Sequence, residues 1–307
     1  MDKSSDDVDV LGLLLSLPMV PVTAFLGYLF TAVVCFVNFA FHVVIFKRFR
    51  FRDVPLMKLL VFFNVLATLS IVFSNLLWML RIAGVLESGM VTSSVLVWST
   101  MPYFSFVSAY NASATSLLIA RIIHLLTARR PRKGVLKFLI YLILICCVVF
   151  AVCYGLAFSV FCPYCIRRDI PPDCFVNQCL LESVFVYQLV YTVSRAIASV
   201  ADFIFSLVFL AVLRCTVEKI NTKSSRTERL SKANQFLKSI ALLHSSVLIF
   251  TFVVEFAAAS SAARSFYLYI IFVNKIIRAV DLLVGSALFF WFNVRVTKVI
   301  VFHPTNT

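Results

Sequence analysis

From Leu96 to Ala120 the chain runs 25 residues without a formal charge, and it then meets Arg121, His124 and the basic cluster Arg129–Lys133. A helix of that length rises ~38 Å, enough to cross the ~30 Å hydrocarbon core of a bilayer. The stretch therefore reads as one long membrane helix with a basic foot. Two comparable apolar spans precede it and four follow, which predicts a single all-α domain over residues 1–307, a bundle of seven transmembrane helices. Hydrophobic residues make up 62% of the chain and charged ones 14%, with 32 Phe among 307 residues. That balance excludes a soluble globular domain. The net charge of +14 does not indicate nucleic acid, because the basic residues sit in short clusters between apolar spans without interleaved stacking aromatics.

The expected spans are 21–46, 56–80, 96–120, 138–161, 188–213, 239–259 and 267–292. The first ten residues are acidic through Asp2, Asp6, Asp7 and Asp9. A cleaved leader begins basic, so the first span is expected to act as its own targeting signal. Pro21 opens that span, where a proline costs no helical hydrogen bond.

The distribution of Lys and Arg gives the orientation. The loops between spans 1–2, 3–4 and 5–6 and the tail hold 5, 6, 7 and 2 of them, 20 in all. The amino end and the alternate loops hold 1, 1, 2 and 1, 5 in all, and Arg195, Lys275 and Arg278 lie within spans. Cytoplasmic loops carry the excess of basic residues. The amino terminus is thus expected outside and the carboxyl terminus in the cytoplasm.

Of nine cysteines, Cys35, Cys146, Cys147, Cys153 and Cys215 fall in or at the ends of spans, where a small polarizable hydrophobe suffices. Cys162, Cys165, Cys174 and Cys179 share one loop. On the oxidising side these are disulfide candidates, and three pairings are open. Their spacing also suits zinc, but disulfides are the reading adopted, and no metal is expected. The tripeptide Asn111-Ala112-Ser113 fits the glycosylation pattern but lies inside the third span, out of reach of a lumenal transferase.

Seven spans, an outer amino end, an Arg at the inner end of the third span within Leu118-Ile119-Ala120-Arg121-Ile122-Ile123, and basic second and third inner loops resemble a G-protein-coupled receptor. The short termini, the Phe-rich spans and the Cys162-Pro163-Tyr164-Cys165 loop resemble the nematode serpentine chemoreceptors, class BC among them. The sequence departs from the common pattern at three places. Ala120 stands where an acid usually precedes the Arg, no cysteine stands near Leu96, and Asp281-Leu282-Leu283-Val284-Gly285 is a remnant of the helix-seven Asn-Pro-x-x-Tyr motif. The resemblance implies a chemosensory receptor for a small extracellular molecule that signals to a heterotrimeric G protein. Arg121, Arg129, Arg130, Arg226 and Arg229 would lie on the coupling face. It implies a multi-pass protein of the plasma membrane, with the sensory cilium as a candidate, and no cofactor.

Charges inside a bilayer cost roughly 2.5–3.5 kcal/mol each on insertion scales, so they face the bundle and find partners. Counted from the outer ends, Arg195, Glu255 and Lys275 lie ~10, ~7 and ~12 Å deep and share a level. Arg278 and Asp281, three apart on one helical face, are placed to pair, and Asp202 lies as deep as Asp281. These groups are either interhelical glue or a cavity whose excess cationic charge receives an amphipathic anion, and both readings stay open. Tyr103, Tyr110, Tyr187, Gln188 and Tyr191 are placed to line an outer pocket, with membrane-interface anchoring the alternative. His244, near the inner face, is expected to bond a neighbouring helix.

No phosphate loop, metal cluster or Ser/His/Asp arrangement appears, so no enzyme is expected. A transporter with repeated halves is the alternative, but it calls for helices broken near mid-membrane, and spans four to seven contain no proline. A retinal photoreceptor is a third reading, on the six-residue spacing of Lys275 and Asp281. It lacks an acid in the outer half of span three, where Ser99 stands.

Overall fold

The computed structural model describes residues 21–48, 55–127, 133–159, 166–172, 174–180, 185–220, 226–260 and 264–295, with side chains omitted over short stretches that include 185–192, 194–195 and 226–233. The helices are α1 (Pro21–Arg48), α2 (Pro55–Ile82), α3 (Met90–Trp98), α4 (Met101–Thr127), α5 (Lys133–Ser159), α6 (Phe185–Ile220), α7 (Arg226–Ser260) and α8 (Arg264–Phe289). A 3-10 turn, Asn177–Leu180, lies in the loop before α6, and a π turn, Phe290–Arg295, extends α8. A chain this apolar has few alternatives, since in lipid every backbone N–H and C=O needs an internal partner and a helix supplies one locally.

Six helical stretches among the described residues are long and apolar enough to cross a membrane: α1, α2, α3 with α4, and parts of α5, α6 and α7. The remaining long helix, α8, carries Lys275, Arg278 and Asp281. Arg278 and Asp281 are buried and Lys275 half-buried, so the charges turn inward.

The stretch read as one long third helix is broken. α3 ends at Trp98 and α4 begins at Met101, with Ser99 and Thr100 between. Pro102 is the physical reason, because its ring crowds the carbonyl four residues back and it has no N–H to donate. The freed carbonyls are taken locally, Ser99 Oγ donating to Leu96 O and Thr100 Oγ1 to Val97 O, each at 2.8 Å. The polar stretch 214–238 is also more helical than the span assignment suggests. α6 has 36 residues and α7 has 35, lengths of ~54 and ~53 Å that exceed a hydrocarbon core.

α4 is the hub, packing against α2, α5, α6 and α7, and the ring closes where α8 meets α1. Large apolar side chains such as Phe36, Phe138, Ile145 and Phe250 point outward. The interior has an apolar core in which many polar groups are also buried. Asn38 Nδ2 donates to Asn64 Oδ1 at 2.9 Å and to Thr68 Oγ1 at 2.8 Å, and Asn64 Nδ2 donates to Leu282 O at 3.1 Å. This staple joins α1, α2 and α8. Such bonds contribute ~0.6–2 kcal/mol each in a membrane, where apolar burial alone does not hold helices together.

Candidate functional site

At the end of the bundle that carries the loop 166–180, α1, α2, α4, α6, α7 and α8 splay around a cavity. It encloses about 860 Å³, its open mouth included. The loop roofs it. Tyr28 Oη donates to Phe175 O, Trp78 Nε1 donates to Asn177 Oδ1 at 3.3 Å, and Asn177 Nδ2 donates to Thr100 Oγ1. A disulfide joins Cys174 to Cys179, Cα to Cα 5.6 Å, and tightens the turn that presents Val176 and Asn177 to the cavity. Thr100 is available as an acceptor because it stands in the break between α3 and α4. The interruption thus has a structural use.

The floor is charged. Lys275 Nζ donates to Ser74 Oγ at 3.2 Å and lies 5.0 Å from the centre of the Tyr28 ring, a cation–π contact. Among the described residues no carboxylate pairs with it. Glu255 is engaged, accepting from Asn274 Nδ2 at 2.7 Å. Arg278 Nη2 donates to Thr251 Oγ1 at 3.2 Å, and its Nη1 lies 3.9 Å from Asp281 Oδ2. Asp281 has a shorter contact, His244 Nδ1 at 2.8 Å, so the residue that sequence spacing matches to Arg278 is held chiefly from α7. Asp202 on α6 accepts from Thr115 Oγ1 at 2.8 Å and from Ser245 Oγ at 2.5 Å. Each buried acid thereby meets groups from other helices, as low dielectric demands.

Of the residues singled out from sequence, Tyr103, Glu255, Lys275 and Arg278 line this cavity. Tyr110 does not. It lies deeper, its ring edge-on to His244 at 5.4 Å. Gln188, Tyr191 and Arg195 fall on α6, as does Tyr187, but their side chains lie outside the described residues. Cys162 and Cys165 lie outside them altogether, as do Arg129 and Arg130. Arg226 and Arg229 are on α7 with side chains not described. At the far end of the bundle Arg121 donates from Nε and Nη2 to Asn234 Oδ1, at 2.8 and 2.6 Å, so it ties α4 to α7.

Tyr28, Ser74, Trp78, Thr100, Asn111, Asn177 and Asn274 were not among the ligand candidates. Their signal was available in part, since a polar residue in an apolar span must face the bundle. Asn274 beside Lys275, and Ser74 late in α2, fit that rule. Asn177 and Thr100 could not be found this way, because their roles depend on a loop folding back over the bundle.

The serpentine type 7TM GPCR chemoreceptor Srbc family model matches residues 17–297, nearly the whole chain and every helix described above. No curated protein matches the chain at a significant level. The family match, over a bundle of seven long helices that it spans from end to end, makes the chain a member of the serpentine type 7TM GPCR chemoreceptor Srbc family.

Proposed function

We propose that this membrane chemoreceptor detects a small amphipathic anion arriving from outside the cell and passes the signal to a heterotrimeric G protein. One observation carries the ligand class: Lys275 lines the cavity with a hydroxyl and an aromatic face for company and no described carboxylate partner. A carboxylate or sulfate brought to that ammonium forms a charge-assisted hydrogen bond in a medium of low dielectric, where it is worth more than in water. Phe104, Val107, Leu248 and Ile271 supply the apolar wall for the rest of the molecule. Arg195, one turn before the cavity-lining Ser199 on α6, is the second candidate cation. Signalling follows if the ligand stabilises an arrangement in which α7 leaves α4 and the Arg121–Asn234 contact opens, exposing an inner cleft. The plasma membrane, that of a sensory cilium included, is the setting in which such a receptor meets its ligand.

The test is G-protein activation in a heterologous cell by matched acids and their neutral methyl esters. The acids are expected to activate and the esters to be poor agonists. Lys275→Gln or Arg195→Gln is expected to lower acid potency at least tenfold while surface expression persists. Unchanged potency in both variants, at normal surface levels, rejects the anionic ligand.

A further inference from the structure

The cavity wall carries three carboxamides, and two of them are engaged within the protein: Asn177 with Trp78 and Thr100, and Asn274 with Thr251 O and Glu255. Asn111 is different. It lines the cavity from α4 and is only 9% exposed, yet its Oδ1 is buried without a hydrogen-bond partner and its side-chain amide makes no hydrogen bond to any described residue. Its backbone carbonyl is used normally, by Thr115 Oγ1 at 3.1 Å. Ser108, which also lines the wall, has its hydroxyl bonded to Phe104 O at 2.8 Å.

An enclosed polar group without a partner destabilises a protein, and sequences seldom retain one where an apolar residue of the same size would serve. Asn75 and Ser93 are also buried without a described partner for their side-chain polar atoms, but Asn111 lines the cavity, where an arriving ligand can supply the missing partner. Lys275 stands on α8 against α1 and α2, whereas Asn111 stands on α4, and apolar side chains such as Val107, Leu248 and Ile271 share the wall with them.

We infer that the cavity recognises its ligand at two polar points, an anionic group held by Lys275 and a hydroxyl held by the Asn111 carboxamide, joined by an apolar segment; this rests on the anionic reading above. A hydroxyl suits a carboxamide in either of its two orientations, because it accepts from Nδ2 and donates to Oδ1. The ligand class is thus a hydroxylated acid rather than a plain one.

The experiment uses the full-length protein in lipid nanodiscs and a series of probes: hexanoic, octanoic and decanoic acids, each also with a hydroxyl on its terminal or penultimate carbon. At the matching length the hydroxy acid is expected to bind about tenfold more tightly than the plain acid, the effect of one additional hydrogen bond to a buried group. Asn111→Leu is expected to erase that advantage, so that the hydroxy and plain acids bind with equal dissociation constants, and to preserve or raise the unliganded melting temperature. Asn111→Ala gives the same comparison if the leucine does not fit. Lys275→Gln is expected to weaken both kinds of acid and keep their ratio. A hydroxyl advantage that is missing at every length, or that survives both Asn111 substitutions, overturns the two-point site and leaves the anionic reading standing. Lys275→Gln without effect on either acid overturns the anionic reading instead, and failure of the whole series to bind overturns both.

Discussion

A methyl group added at Gly285 would meet the Tyr110 hydroxyl at 2.6 Å and Asn64 Nδ2 at 3.9 Å. Tyr110 has little room to retreat, being 2% exposed with its ring set edge-on to His244. The glycine therefore admits a phenol from α4 against α8 at the depth where Asp281 and His244 meet. Gly285→Ala is expected to destabilise the protein by ~1–3 kcal/mol, the usual result of overpacking, measured as a lower melting temperature in detergent or nanodiscs. Adding Tyr110→Phe, which deletes only the hydroxyl, is expected to recover much of the loss. An equal drop in both backgrounds would show that the hydroxyl is not the obstacle. In the sequence this glycine is legible only as the end of a degenerate helix-seven motif. Its packing role depends on a tyrosine that is distant in the chain, and no local pattern carries that information. Lys275, Arg278 and Asp281 were legible for the opposite reason, since a charge within an apolar span has only the bundle interior to face.

Elements show the same division. Long apolar runs fix the helices because length and composition are local properties, and Pro21 and Pro55 mark two helix starts where a missing N–H costs nothing. The break at Ser99–Thr100 was legible in Pro102, but 25 uncharged residues favour an uninterrupted reading. Its use could not be anticipated, because Thr100 acquires a purpose only when Asn177 reaches it from the loop before α6. That loop is attached to α1, α2 and the α3–α4 junction by Tyr28, Trp78 and Thr100. The Cys174–Cys179 bridge closes a turn with a sequence separation of 5, so its effect on the unfolded chain is modest, ~2 kcal/mol. Replacing both cysteines with serine is expected to lower the melting temperature by an amount corresponding to ~2 kcal/mol or less, without loss of surface expression. Peptide mapping of the unmodified protein without reductant should find Cys174 linked to Cys179. Free thiols at both positions in freshly purified, folded protein would contradict the roof described above.

For the whole molecule, apolar side chains lie on both sides of the bundle wall: phenylalanines and aliphatic residues face outward, while asparagines, His244 and two aspartates cross-link helices within an apolar core. This architecture is indifferent to which end faces the cytoplasm, because hydrogen bonds and packing are the same either way up. The expected orientation rests on something outside the fold, the 20 Lys and Arg in the odd loops and tail against 5 in the amino end and even loops. A basic loop retained on the cytoplasmic side avoids translocation, and short loops such as these follow the rule most closely. The cavity opens at the end bearing the 166–180 loop, among the 5, and Arg121 lies at the end bearing the 20. On that count the cavity is expected to face outward and Arg121 inward, the arrangement a receptor requires. An epitope inserted before Asp2 should be labelled by antibody on intact cells, and one after Thr307 only once the membrane is permeabilised. Moving the charge tests the cause. Replacing Lys47, Arg48, Arg50 and Arg52 with Gln while adding four Lys to the amino-terminal segment is expected to give a population with mixed or reversed labelling. Cells expressing the unmodified chain with its carboxyl-terminal epitope exposed would place the cavity on the cytoplasmic side, and the reading of this protein as a sensor of external molecules would fail with it.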